Sequence, residues 1–200
     1  RYDCQFCELL HGLHPELPAP WYLIGHSTGA AILMAHQHQF GDPSHWPLQR
    51  RILLAPLIRP QQYHPIRFKY RWLKYLLNTV ARYYSANSHD EDYLHFVREH
   101  DPLQHDRIPL DWIGAMLAWA KRIETSPPMQ GAVTVIQGVE DGTVDWVHNL
   151  AVLSELYPQA QIELIEGARH QLINESTPYQ SRLFKMLHSA MNTEWQQLKA

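Results

Sequence analysis

Residues 21–39 read WYLIGHSTGAAILMAHQHQ. Trp21 to Ile24 is a short apolar run that suits a buried strand, and Ala30 to Ala35 has helix-forming composition. Only Gly25-His26-Ser27-Thr28-Gly29 separates the two, so the chain has to turn within a few residues. The pentapeptide fits G-x-S-x-G, a strand-to-helix turn so sharp that its serine sits in strained backbone with the hydroxyl exposed. Without Cβ atoms at Gly25 and Gly29, strand and helix can close on each other. The helix that follows aims its N-terminus at the turn, which makes the Thr28 N–H a candidate donor to a developing oxyanion. Ser27 is thus a candidate nucleophile.

Outward from this turn, Arg51 to Ile58 predicts a second strand, closed by Pro60. Ala132 to Gln137 predicts a third, entered through Pro127 and Pro128, and Gln161 to Ile165 a fourth, closed by Gly167. Between the third and fourth, Val144, Leu150, Leu153 and Leu156 recur at helical spacing until Pro158, so strand, helix and strand form a parallel crossover. A last helix from about Pro178 carries Leu183, Leu187 and Met191 on one face. This order suits a mostly parallel α/β sheet with helices on both faces. Residues 1–58 then form the elbow part of the core, 59–129 a helical cap without strands, and 130–200 the C-terminal part of the core. Within the cap, Trp112, Ile113, Met116, Ala120 and Ile123 form one apolar stripe, and Ile66, Leu73, Leu76, Leu77, Val80 and Tyr84 another.

A serine hydroxyl is a weak nucleophile until a base takes its proton, and the base needs a carboxylate to orient it. Asp141, in QGVEDGTVD, lies just past the third strand, and His170, in IEGARHQLINE, just past the fourth. Functional groups of open parallel sheets gather at those strand ends. Asp145 and Glu140 are rival acids, but Asp145 is better explained as the start of the next helix. His148 falls within a helix, and His26, though adjacent to Ser27, points elsewhere at a sharp turn. Asp141 and His170 are therefore favoured.

At 200 residues, 45% hydrophobic, 11% aromatic and 18% charged, the chain can bury one core and is not disordered. A net charge of −3 without a long run of like charge argues against nucleic acid as partner. No apolar run approaches the roughly 20 residues needed to span a bilayer. The first residues lack the features of a secretory signal, so the cytoplasm is the expected location, with peripheral contact at a membrane. Cys4 and Cys7 form a lone C-x-x-C without the context of a redox pair or of a zinc site, and helical spacing of two small residues is the favoured reading. The 14 histidines are scattered. Neither a metal nor an organic cofactor is required by the chemistry read here.

Together GHSTGA, QGVEDGTVD and EGARHQLINE resemble the lysophospholipase and monoacylglycerol-lipase group of the α/β-hydrolase superfamily, also grouped with serine aminopeptidases. Asp101-Pro102-Leu103 and the helix around Trp112 resemble a recurring cap segment of these enzymes. The resemblance implies an α/β-hydrolase fold with Ser27 as nucleophile, Asp141 as acid, His170 as base and Thr28 as one oxyanion donor. It also implies four strands before the nucleophile strand, yet only 26 residues precede Ser27. His11-Gly12 stands too near the elbow to be the oxyanion loop. The second donor is expected from outside this chain, in a missing N-terminal half or a partner chain, and the nucleophile strand is expected to present an open apolar edge.

From Arg59 to Arg82 there are six Lys or Arg and no Asp or Glu. On one long helix, Arg67, Arg71, Lys74 and Arg82 would share a face that can meet an anionic membrane or a lipid phosphate; an ordinary solvated face is the plainer reading. Tyr63, Phe68, Trp72, Tyr75, Phe96, Trp112 and Trp119 can line an acyl-chain pocket, though most suit packing. The expected function is hydrolysis of lipid carboxylic esters, of a lysophospholipid or monoacylglycerol, through an acyl-enzyme on Ser27. A peptidase or acyltransferase with the same triad, or a noncatalytic binding protein on the same fold, is the alternative.

Overall fold

The computed structural model describes residues 8, 9, 12, 18–41 and 46–197. Cys4 and Cys7 lie outside the described residues. In chain order the elements are β1 (Trp21–His26), α1 (Thr28–Phe40), β2 (Leu48–Leu54), α2 (Tyr63–Leu73), β3 (Thr79–Ala81), α3 (Glu91–Glu99), β4 (Arg107–Pro109), α4 (Leu110–Glu124), β5 (Val133–Gly138), α5 (Trp146–Leu156), β6 (Gln161–Ile165) and α6 (Thr177–Gln197).

Among the described residues the core is a four-stranded, all-parallel sheet in the order β1-β2-β5-β6. Successive side chains of a strand point to opposite faces, and here both faces are apolar. Leu53, Val133 and Val135 face α1, α4 and α5, where Ala30, Leu33, Met34, Met116, Ile123 and Leu153 complete one core. Ile52, Leu54, Ile136 and Ile165 face α6, where Leu183, Leu187 and Ala190 complete the other, with Met191 packed at its margin. The continuous apolar runs of the central strands β2 and β5 follow from this double burial. Truncating one of their buried residues, such as Leu53→Ala, costs about 2–5 kcal/mol.

Register aligns the C-terminal ends of the strands: His26 lies beside Leu54, and Leu54 beside Ile136. The loops that leave β1, β5 and β6 therefore open at one edge of the sheet, and they carry Ser27, Asp141 and His170. Among the described residues β1 is an edge strand, and its Ile24 is 45% exposed.

Two features differ from the sequence-based expectation. β2 starts and ends earlier than Arg51 to Ile58, because Ala55 turns out of the strand with φ 42° and hands Leu57 and Ile58 to the core under the cap. The segment 59–129 is not wholly helical: α2 ends at Leu73, and β3 pairs antiparallel with β4. The β-branched Thr79, Val80 and Ile108 suit that ribbon, which is reinforced by Arg107 Nε donating to Thr79 Oγ1 at 2.7 Å. Arg82 therefore lies off α2, its guanidinium donating to the His105 carbonyl at 2.8 Å, and the stripe from Ile66 to Tyr84 does not exist as one helical face. Among the described residues, no helix is long and apolar enough to cross a membrane.

Candidate active site

Ser27 joins β1 to α1 at φ 52° and ψ −110°, a conformation that non-glycine residues occupy only when their surroundings force it. Three backbone hydrogen bonds hold it there: its N–H donates to Leu54 O at 2.8 Å, and its carbonyl accepts from Ala31 N at 3.1 Å and Leu57 N at 3.2 Å. A Cβ on Gly25 would lie 2.6 Å from the Gly29 carbonyl carbon and 2.7 Å from Ala30 N, so glycine is required at that position. The expectation for Gly29 needs correcting, since a Cβ there would meet nothing within 4 Å. The close approach is made by the backbone of Gly29 toward Gly25, and only one of the two glycines is sterically obligatory.

Asp141 follows β5 and is 4% exposed; His170 follows β6 and is 3% exposed. The two loops are stitched together by Glu140 N donating to Ala168 O at 2.9 Å, and Gly138 admits the backbone of Ala168 and Arg169 where a side chain would collide. His170 Nδ1 lies 2.7 Å from Asp141 Oδ2, and its Nε2 3.0 Å from Ser27 Oγ. A carboxylate can only accept, so Nδ1 carries the proton and Nε2 presents a lone pair to the serine hydroxyl. The second carboxylate oxygen, Oδ1, accepts from the backbone N–H groups of Thr143 at 2.8 Å and Val144 at 3.1 Å, while Gln137 Nε2 donates to Oδ2 at 3.0 Å. Burial by itself would raise the Asp141 pKa; the hydrogen bond and charge of His170, with the hydrogen bonds from Gln137 and the Thr143 N–H, outweigh it and hold the carboxyl below its ordinary value.

The rival residues have other partners. Asp145 caps α5 by accepting from His148 N at 3.3 Å, and His148 Nε2 lies 3.1 Å from Glu124 Oε1. Glu140 is largely exposed, 3.8 Å from His89 Nε2. His26 Nε2 donates to the carbonyl of His170 at 2.9 Å, with the two rings 5.0 Å apart. Burial lowers the His26 pKa, which suits a neutral ring with its proton on Nε2.

Thr28 opens α1, so its N–H has no acceptor inside the helix and is free to serve a ligand at the turn. It also borders a cavity of about 400 Å³ between α1 and α4, lined by Thr28, Ala31, Ile32, Ala35, Leu57, Trp112, Ala115, Met116, Ala118, Trp119 and Arg122. Of the cap aromatics read from the sequence, Trp112 and Trp119 are in this lining; Phe68, Trp72, Tyr75 and Phe96 point to solvent. Three residues of the site went unread in the sequence: Gln137, whose signal is an amide closing an otherwise apolar strand; His26 in its grip on His170; and Glu175, described below. Chemically, the arrangement offers an activated hydroxyl, a base held in one tautomer, an N–H donor and an apolar cavity in one corner of the sheet.

A family model described as serine aminopeptidase, S33, matches residues 3–177. No curated protein matches the sequence. Among solved structures, the chain is similar to the monoacylglycerol lipase of Paleococcus ferrophilus, with a TM-score of 0.74 and 16% identity, covering 94% of this chain and 74% of that one. A soluble variant of the Saccharomyces cerevisiae monoglyceride lipase in complex with a substrate analog gives 0.74 and 16%, over 94% and 69%. A thermostable carboxyl esterase from Bacillus coagulans in complex with glycerol gives 0.66 and 15%, over 96% and 69%. The sheet order, the elbow and these likenesses are those of the α/β-hydrolase fold, and with the family model matching most of its length the chain belongs to the serine aminopeptidase, S33, family of hydrolases.

Proposed function

We propose that this protein hydrolyses carboxylic esters of single-chain lipids, a lysophospholipid or a monoacylglycerol, through an acyl-enzyme on Ser27. The observation that carries the reading is the unbroken chain of hydrogen bonds from Asp141 through His170 to Ser27 Oγ. Ser27 Oγ attacks the ester carbonyl carbon as His170 Nε2 takes the hydroxyl proton. The Thr28 N–H donates to the oxyanion that forms. Collapse of the tetrahedral intermediate breaks the bond to the alcohol, which leaves with the proton from His170. Water then gives a proton to His170 and attacks the acyl-enzyme, and the fatty acid departs as Ser27 regains its proton. Asp141 stays ionised throughout and stabilises the imidazolium.

The cavity supports an acyl ester over an N-terminal peptide. An aminopeptidase needs an anionic group to hold the substrate ammonium, and among the described residues the lining beside Thr28 includes no carboxylate and one ionisable side chain, Arg122. Supply from a lipid surface is supported by the exposed turn of the cap. Phe68, Trp72, Tyr75 and Leu76 are 66–77% exposed and alternate with Arg67, Lys69, Arg71 and Lys74, the composition of an interfacial segment on anionic lipid.

The test is turnover of three substrates by the full-length protein: a monoacylglycerol, a lysophospholipid and an aminoacyl anilide, each with Ser27→Ala as control. Ester turnover that vanishes in the control, with none on the anilide, is expected. Turnover of the anilide alone would overturn the reading.

A further inference from the structure

The backbone around His170 is gripped at three successive residues, by nearby Glu175 and by His26 and Asn87 from distant parts of the chain. Arg169 N donates to Glu175 Oε1 at 2.8 Å, the His170 carbonyl accepts from His26 Nε2 at 2.9 Å, and Gln171 N donates to the Asn87 carbonyl at 2.9 Å. Glu175 is buried, and its other partners are its own neighbour Ser176 and His89, on the segment that leaves the β3 ribbon for α3. His89 N donates to Oε2 at 2.9 Å and His89 Nδ1 lies 3.1 Å from Oε1, while Ser176 N donates to Oε2 at 3.0 Å. Ser88 and Arg169 tie the same strap down, Ser88 Oγ donating to Asn174 O at 2.6 Å and Arg169 Nη1 to Ser88 O at 2.9 Å. The outer nitrogen of His89 faces Glu140, the residue before Asp141.

We propose that His89 and Glu175 are positioning residues, a clamp through which the strap at residues 87–90 fixes the loop of His170. The inference rests on the acyl-transfer reading above. An imidazole must be held within a fraction of an ångström to bridge Asp141 and Ser27, and the loop that carries it follows β6, the last strand in the sheet order. A buried carboxylate accepting from several N–H groups at once gives a rigid anchor. Charge is needed as well as shape, because an amide at residue 175 would turn donors toward donors.

The experiment compares Glu175→Gln, His89→Ala and His89→Asn in the full-length protein on a short soluble ester. Asn can return an N–H to the position of His89 Nδ1. Glu175→Gln and His89→Ala should lower kcat at least tenfold with KM within twofold. His89→Asn should restore most of kcat. If Glu175→Gln does not fold, the His89 pair decides. Unchanged kcat in folded variants, or a fall in His89→Ala that Asn does not repair, would overturn the clamp while leaving wild-type ester turnover, and so the proposed function, intact. Wild-type protein with no esterase activity would instead remove the reading on which the clamp rests.

Discussion

His170 Nδ1 and Asp141 Oδ2 meet at 2.7 Å with both side chains closed off from solvent. Each carboxylate oxygen is occupied, one by the imidazole and Gln137 and the other by the backbone at Thr143 and Val144. The carboxylate is thus fixed before the imidazole is, and the tautomer of His170 follows from it. Asp145, four residues on, caps a helix.

Asp141→Asn is expected to lower kcat on the order of 10⁴-fold, because an amide favours the wrong imidazole tautomer. Asp145→Asn should leave turnover within about threefold, since Asn is itself a good helix cap. Steady-state kinetics on one ester separates the two; matched losses would reverse the assignment of the acid.

The two glycines of the elbow should respond differently. Gly25→Ala forces a Cβ against the backbone of Gly29 and Ala30, and loss of folded, active protein is expected. Gly29→Ala should fold and keep activity within a few-fold, the open space at that Cβ being the reason. Thermal melts and turnover of the pair check this, and equal damage would contradict the described turn.

Stability should fall on the acid side in two windows. For Asp141 and Glu175, burial opposes ionisation, but hydrogen bonds to His170 in one case and to the His89, Arg169 and Ser176 backbone in the other leave both carboxyls below their ordinary values. A carboxyl whose folded pKa is depressed contributes stability that is present above its unfolded value of about 4 and lost as pH falls through the folded value. His26, lowered by burial, contributes stability present above about 6.5 and lost as pH falls through its own folded value. Urea melts across pH should show Glu175→Gln flattening the lower window and His26→Gln the upper; curves parallel to wild type would contradict these roles.

Replacing Phe68 and Trp72 with Ser, or Arg67, Lys69, Arg71 and Lys74 with Gln, should reduce sedimentation with anionic phospholipid vesicles more than tenfold, each basic residue near such a surface being worth about 1 kcal/mol. Added salt should imitate the charge variant. Turnover of a short soluble ester should stay within twofold. Unaltered vesicle binding would make this turn of the cap an ordinary solvated surface.

The legible parts of the sequence were those whose signal is local. Trp21 to Ile24 followed at once by a glycine-bracketed serine admits few structures, and the runs ending at Gln137 and Ile165 put Asp141 and His170 at the same end of a parallel sheet. The end of α2 was hidden because Leu73, Leu76, Leu77 and Val80 keep helical spacing through a stretch that contains neither Gly nor Pro. The β-branched pair at Thr79 and Val80 becomes strand only because β4 supplies a partner from a distant part of the chain. Glu175 was illegible for the same reason: it sits in plain view in the motif of His170, but its meaning depends on His89, 86 residues away.

Mapping the adduct of a fluorophosphonate probe on the full-length protein by mass spectrometry tests Ser27 as the nucleophile. One labelled peptide carrying the adduct on Ser27 is expected, with labelling abolished in Ser27→Ala and strongly slowed in His170→Ala. An adduct on any other serine, or undiminished labelling of Ser27→Ala, would contradict that role.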